Sequence, residues 1–186
     1  MKKITILFSL MGLMFFLSLD MQAQKFFTRE AKISFYSEAP LEKIEAVNGA
    51  GTCVIDFESQ QMEFAVLIKA FQFDKALMQE HFNENYMESH KFPKATFKGK
   101  IVEPNAIDYK SNGEYDVTVE GKLTIHGVEN EISAPGTIII NGEEIQVNSK
   151  FSVAVKDYDI SIPAVVRDNI AKNVEITVAG DLEPLK

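Results

Sequence analysis

Apolar and polar residues alternate one by one over most of this chain, and this period of two constrains its fold more than any other feature. The clearest run is 115–125, where Tyr115, Val117 and Val119 begin an apolar face and the intervening residues are charged or carry a hydroxyl group. Successive side chains of a β-strand point to opposite faces, so this alternation indicates strands with one buried and one solvated face. Such strands are typical of antiparallel sheets.

Eight segments of the chain follow this pattern and are predicted to be strands. Several are ten or more residues long, and long strands with one apolar face close most economically into a barrel, which leaves no exposed edge. We therefore predict an all-β fold, an eight-stranded antiparallel barrel, with a two-sheet sandwich as the alternative. The predicted strands lie within 33–36, 52–57, 62–70, 95–101, 115–125, 128–140, 145–155 and 174–178.

Three dipeptides between predicted strands have the chemistry of turns. Asn112-Gly113 and Asn141-Gly142 are strong hairpin signals because Asn and Gly both tolerate a positive φ. His126-Gly127 occupies an equivalent place, and histidine is also enriched at positive φ. The sequence therefore predicts that all three dipeptides turn the chain.

One segment departs from the alternation and is predicted to be a helix between strands 3 and 4. Asp74 is a good N-cap residue, and Met78, Phe82 and Tyr86 follow four residues apart on one helical stripe. Pro93 ends the segment, because the residue before a proline avoids the helical conformation.

The N-terminus has the features of a secretory signal peptide. Two lysines precede the uncharged run 4–19, and the small residue Ala23 suits a cleavage site. The apolar run is shorter than the ~20 residues that a membrane-spanning helix needs. We predict a signal peptide at 1–23 and one domain at 24–186, with no stable membrane anchor after cleavage.

The charge and the single cysteine exclude several functions. Removing residues 1–23 deletes two lysines and one aspartate, which leaves 26 acidic and 17 basic side chains and a net charge of −9. This charge argues against nucleic acid and against electrostatic binding to anionic membranes. Cys53 cannot form an intrachain disulfide, and its apolar neighbours indicate a buried, unreactive thiol.

The histidines are the strongest candidates for catalysis or metal binding. His81 and His90 are nine residues apart, so they lack the spacing of a helical zinc pair, and His126 would have to join them from a distant turn. A turn role for His126 is favoured. No G-x-S-x-G motif is present, and we predict no catalytic residue, no metal site and no cofactor.

The segments "HFNENYMESHKFPKATFKGKI" and "VEGKLTIHGVENEI", with the closing "KFSVAVKDYDISIP", resemble the YceI-like family. The similarity extends from Ile33 to Val178. It implies a lipocalin-like eight-stranded barrel that is exported to the periplasm and, as in characterised relatives, holds a long isoprenoid chain. The Arg-Asp pair that many members carry before the helix is missing here, although His81 stands where their histidine follows it.

Small residues at inward positions bear on whether the barrel is hollow. Ala70, Ala95, Gly99, Gly121 and Ser149 indicate either free volume or places where backbones approach closely. The resemblance favours a cavity. Its expected lining, from the inward phase of the strands and the helical stripe, is Phe64, Val66, Ile68, Phe82, Tyr86, Phe97, Val117, Val119, Leu123, Phe151, Val153 and Ile176.

The long connection 157–173 is the predicted lid of the barrel, because connections of this length in compact domains are often functional. Five aliphatic residues in it could cover an apolar ligand: Ile160, Ile162, Val165, Val166 and Ile170. Arg167 is the candidate for binding a ligand's head group. Pairing of Arg167 with Asp168 or Asp159 is the alternative, and it is favoured.

These features predict an exported, non-enzymatic protein that carries or sequesters an isoprenoid or other long-chain lipid in its barrel. Burial of the lipid's apolar surface would supply the affinity. Two alternatives stay open: an enzyme of isoprenoid or lipid metabolism that uses His81, His90 or His126, and an envelope stress or interaction protein with a packed core. The sequence indicates no oligomeric state.

Overall fold

The computed structural model describes residues 25–102 and 107–185, most of which are in β-strands; the predicted signal peptide lies outside them. Eight long strands form a closed antiparallel ring in which β1 pairs with both β2 and β9, so the predicted barrel is confirmed. A short ninth strand, β4, pairs with β2. The strands are β1 Lys25–Glu38, β2 Lys43–Asp56, β3 Gln61–Leu67, β4 Gln72–Phe73, β5 Lys94–Val102, β6 Gly113–Ile125, β7 Val128–Asn141, β8 Glu144–Ala154 and β9 Asn173–Pro184.

The predicted helix lies between the third and fourth long strands, as expected, but it is shorter than the pattern suggested. Helix α1 spans Ala76–His81 and continues into a π-helical turn, Phe82–Tyr86. The predicted N-cap at Asp74 is wrong: Lys75 holds that position without a side-chain cap. The start of the helix is held instead by its own Gln79, whose Oε1 accepts a hydrogen bond from the Phe73 N–H at 3.3 Å.

Three short 3₁₀ helices complete the secondary structure of the described residues. One, Ile68–Ala70, follows β3, and the other two, Val155–Tyr158 and Ala164–Asn169, lie in the connection between β8 and β9. This connection was predicted to be a lid. Both of its helices therefore lie at the end of the barrel where β8 finishes and β9 begins.

Two of the three predicted turns are confirmed. His126 and Gly127 have φ values of 52° and 77° and join β6 to β7, and Gly142, at 66°, joins β7 to β8. The hairpin predicted at Asn112-Gly113 is wrong, because β5 has already ended at Val102 and Gly113 opens β6. Asn112 instead supports the neighbouring turn, where its Oδ1 accepts the Gly142 N–H at 2.8 Å.

One half of the barrel is packed solid. We call this the closed half; it lies toward the β2–β3 and β7–β8 turns, and its aliphatic and aromatic side chains fill the interior. Ile138, for example, is 1% exposed. The closed half consists of Phe26, Ala31, Cys53, Ile55, Phe57, Ile101, Val117, Ile138, Ile140, Ile145, Val147 and Leu182.

A boundary layer separates the closed half from the rest of the barrel. Phe97, Val119, Leu123 and Ala134 are buried members of the packed core, and the same four residues line the cavity described below. They come from three adjacent strands, β5, β6 and β7. We call this layer the floor, and the part of the barrel on its other side the open half.

Gly99 and Gly121 face each other across β5 and β6, and the strands approach closely there. A Cβ on Gly99 would collide with the carbonyl group of Glu120, and a Cβ on Gly121 with that of Lys98. Neither glycine lines the cavity, so the close-approach interpretation holds for this pair. Among the other small inward residues, Ala95 and Ser149 do line the cavity and Ala70 does not.

Candidate functional site

The open half of the barrel contains an apolar cavity of about 350 Å³. Its volume is near the lower end of the ~300–1,000 Å³ that small-molecule pockets occupy. Aliphatic and aromatic side chains from the strands, from α1 and from the β8–β9 connection form most of its wall. The polar side chains that line it are few: Ser37, Glu42, His81, Tyr86, Thr96, Ser149 and Asn169.

Most of the residues predicted to line the lumen are brought together here. Val117 is the exception: it lies in the closed half, two residues below Val119 of the floor, and does not reach the cavity. Both valines face inward, so their position along the barrel axis is what separates them. The predicted residues that line the cavity are Phe64, Val66, Ile68, Phe82, Tyr86, Phe97, Val119, Leu123, Phe151, Val153 and Ile176.

Four phenylalanine rings join the helical segment to the barrel wall. Phe82 stacks on Phe35 with ring centroids 5.3 Å apart and also contacts Phe71 and Phe73, at 5.7 and 5.0 Å. Aromatic pairs in these arrangements stabilise a contact beyond the area that they bury. The sequence prediction included Phe82 but missed the other three rings. A signal for Phe71 and Phe73 was present, because they alternate at period two just before the helix.

The connection from Val155 to Lys172 forms part of the cavity wall. Ile160, Ile162, Val166 and Ile170 line the cavity, whereas Val165 is 90% exposed and points away from it. The lid prediction therefore identified four lining residues that the predicted lumen did not include.

Arg167, the predicted head-group residue, is exposed and does not line the cavity. The ion pairs within 25–102 and 107–185 do not include it, so the favoured pairing with Asp159 or Asp168 is not formed in the structure.

A polar contact at the β1–β2 turn joins three segments around the mouth of the cavity. Glu42 Oε1 lies 3.4 Å from the Lys75 Nζ at the start of α1, and Glu42 Oε2 accepts a hydrogen bond from Asn169 Nδ2 at 3.3 Å. The Leu41 N–H donates to the carbonyl oxygen of Asp168 at 3.1 Å. We call this group the Glu42 clasp, because it holds the helical segment and the β8–β9 connection to one turn of the barrel.

A second contact, the His126 clasp, joins the same two segments to the β6–β7 turn. His126 Nδ1 lies 3.1 Å from the carbonyl oxygen of Tyr158, and Nε2 lies 3.0 Å from Glu88 Oε2. Both partners are acceptors, and a neutral imidazole has only one N–H to donate. Each tautomer therefore donates to one of the two partners. The Phe92 ring packs edge-on against the imidazole, with the centroids 4.5 Å apart.

His126 thus turns the chain, as the sequence predicted, and it also fastens the mouth of the barrel. The other two histidines do not belong to this clasp: His81 lines the cavity, and His90 is exposed. Throughout 25–102 and 107–185, no three His, Cys, Asp or Glu side chains cluster closely enough to hold a metal ion. In the same ranges, no helix has the length and apolar character needed to cross a membrane.

Two titratable groups of the packed interior have shifted pKa values. Burial raises the pKa of the Cys53 thiol to about 12, because the ionised form would lose its hydration. The same effect raises the pKa of the Tyr158 hydroxyl. Both shifts favour the neutral form, so neither group supplies a charge or a nucleophile at neutral pH.

The structure is similar to that of a polyisoprenoid binding domain from Saccharophagus degradans implicated in plant cell wall breakdown, with a TM-score of 0.75 and 13% identity over 88% of this chain and 100% of that one. BcnA of Burkholderia cenocepacia gives a TM-score of 0.66 and 17% identity over 82% and 95% of the two chains. The YceI protein of Campylobacter jejuni gives 0.59 and 14% over 74% and 81%.

The sequence comparisons agree with this fold. No curated protein sequence matches the chain. The family model of the YceI-like domain, however, matches residues 22–182. This range includes nearly the whole barrel, with the cavity and both clasps. The chain therefore belongs to the YceI-like domain family.

Proposed function

We propose that this protein sequesters or carries a long apolar lipid of the isoprenoid type, and that it makes or breaks no bond. The observation that supports this proposal most directly is the cavity of about 350 Å³ in the open half, whose wall is almost entirely hydrocarbon. Such a wall gains free energy by removing apolar ligand surface from water, at ~25 cal/mol per Å² before ordering costs. A barrel with a packed interior throughout would have no such space.

The family membership supports the same proposal. One solved structure of similar fold is described as a polyisoprenoid binding domain. The geometry also disfavours catalysis: among the described residues that line the cavity, no serine, threonine or tyrosine hydroxyl bonds to a histidine or carboxylate that could act as its base. A general base needs a free nitrogen or oxygen within hydrogen-bonding distance of the proton that it removes.

We extend the proposal to the location of the protein. Residues 1–23 would direct export to the periplasm and be removed after Ala23, which leaves the barrel domain 24–186 without a membrane anchor. The uncharged run 4–19 behind two lysines supports this proposal. N-terminal sequencing of the protein from the periplasmic fraction tests it: a chain that still begins at Met1, or that stays with the membrane pellet, would contradict it.

The test of lipid carriage is to purify the protein without detergent and to extract it with organic solvent. We expect mass spectrometry to find about one long-chain isoprenoid lipid per chain, as a barrel of this size holds one slender ligand. Ala95→Leu, which fills the cavity, should lower the lipid content. Ala50→Leu adds the same side chain at an exposed position of β2 and should not. Wild-type protein that is free of lipid, and that takes up none on reconstitution, would refute the proposal.

A further inference from the structure

The charge along the cavity wall is of one sign. Glu42 is the one acidic side chain among the described residues that line the cavity, and no lysine or arginine among them takes part in the lining. The Glu42 side chain is 28% exposed and lies at the mouth. A ligand whose tail fills the apolar interior would therefore bring its polar end close to a carboxylate.

The contacts of Glu42 leave it able to accept further hydrogen bonds. Its two oxygens have one partner each, Lys75 at 3.4 Å and Asn169 at 3.3 Å, and both distances are long for charge-assisted bonds. A carboxylate offers about four acceptor positions. The Glu42 clasp can thus bind a donor from the ligand while it keeps its present partners.

Ser37 adds a donor at the same place. Its side chain lines the cavity from the end of β1, and its Oγ accepts the Ala171 N–H at 2.9 Å. A serine hydroxyl also has a proton to donate. Asn169, which binds Glu42, is two residues from Ala171, so the same short segment contacts both side chains. Ser37 and Glu42 therefore both bind the segment 169–171 and present a donor and an acceptor to the cavity from that side.

We propose that the lipid has an uncharged polar end with a hydroxyl group, as in a free long-chain isoprenoid alcohol, and that Glu42 and Ser37 bind this hydroxyl; this rests on the proposed function above. A hydroxyl both donates and accepts, which matches the pair. A phosphate, diphosphate or carboxylate would lie beside the Glu42 carboxylate, whose charge the exposed Lys75 ammonium offsets only in part from 3.4 Å away. Like charges at this half-buried position repel more strongly than in water. The mouth selects against anionic lipids.

Three probes with the same tail isolate the polar end: farnesol, farnesyl monophosphate and farnesyl methyl ether. Their affinities are measured on delipidated full-length mature protein by displacement of a fluorescent apolar dye. We expect farnesol to bind several-fold tighter than the monophosphate, because Lys75 offsets only part of the repulsion from the Glu42 charge. The methyl ether, which accepts but cannot donate, should bind a few-fold more weakly than farnesol.

Single-residue variants test whether Glu42 causes the selectivity for farnesol over the monophosphate. Glu42→Gln removes the charge and keeps the shape, so it should raise the affinity for the monophosphate at least several-fold and lower the selectivity. Glu45→Gln removes the same charge from an exposed position on β2 that does not line the cavity, and it should leave the selectivity unchanged.

The outcomes separate this inference from the proposed function. If the monophosphate binds as tightly as farnesol, or if Arg167→Gln abolishes binding of the monophosphate while Glu42→Gln has no effect, the inference is wrong and lipid carriage stands. If none of the three probes binds, lipid carriage fails and the inference fails with it. Selectivity for farnesol that is lost in Glu42→Gln alone supports both.

Discussion

The two halves of this barrel are built from the same strands, yet one is solid and the other hollow. Along β7 the inward residues of the closed half are Ile138 and Ile140, and the inward residue at the floor is Ala134. Along the neighbouring β8 they change from Ile145 to Ser149, which lines the cavity. The closed half buries its apolar surface in the fold itself. The open half leaves apolar surface that only a ligand can cover, so stability and function lie at opposite ends of the same sheet.

The largest expected effect compares one isoleucine from each half. Ile138→Ala removes a side chain from the packed interior, and we expect it to lower the free energy of unfolding by about 2–5 kcal/mol. Ile176→Ala acts on the cavity wall, where an empty space already exists, and should cost less than Ile138→Ala in lipid-free protein. Urea denaturation measures both. Equal losses would show that the open half is as well packed as the closed half.

A second comparison adds volume in place of removing it. Ala31 is fully buried in the closed half, and Ala95 lines the cavity. Ala31→Leu should overfill the interior and lower the stability by about 1–3 kcal/mol. Ala95→Leu should fold with near-normal stability and bind less lipid. Thermal melts paired with lipid extraction test the difference, and a destabilised Ala95→Leu protein that keeps its lipid would contradict it.

The His126 clasp belongs to the open half, so we expect it to affect ligand release more than global unfolding. Asn tolerates the positive φ of this position, and His126→Asn should keep the turn while it loses contacts to Glu88 and Tyr158. The expected loss of stability is about 1 kcal/mol, with faster release of a bound lipid in stopped-flow transfer to vesicles. Glu88→Gln, which still offers an acceptor, is the milder control. A large loss of stability without faster release of the lipid would show that the His126 clasp stabilises the fold and does not control the mouth.

The last comparison concerns the Cys53 thiol of the closed half, whose effect on stability is absent at neutral pH. Because burial raises the pKa of Cys53 from 9.0 to about 12, the unfolded chain ionises first as the pH increases. The folded state should therefore lose stability between pH 9 and 12 and show no contribution from this group below pH 9. Comparing Cys53→Ala with wild type across that range isolates the effect. At pH 8 native protein should resist maleimide labelling, and rapid labelling would mean that the closed half opens.

The sequence predicted which face of each strand is inward but not how far along the barrel each residue lies. Val117 and Val119 show the limit: both were assigned to the lumen, but Val119 belongs to the floor and Val117 lies in the closed half. Alternation reports the direction of a side chain, whereas its level on the axis depends on how eight strands are staggered around a closed ring. That stagger is set by pairings between distant segments, such as β1 with β9, which no local pattern encodes.

Residue type predicted a turn correctly where the turn depends only on the backbone conformation of its own residues. His126-Gly127 adopts positive φ as expected. Asn112-Gly113 misled the prediction because the Asn112 side chain supports a different hairpin, thirty residues along the chain. The two clasps were also beyond reach, because each of them brings together three segments that are far apart in sequence.

The floor closes the cavity on the side of the closed half. A lipid carried as proposed would therefore enter tail first at the mouth and leave there with its polar end first. A donor that loads the protein and an acceptor that empties it must therefore use the same opening, so they compete for one surface and act in turn. In a transfer assay, an excess of the acceptor should therefore slow the loading of lipid from the donor. A barrel open at both ends would show no such competition.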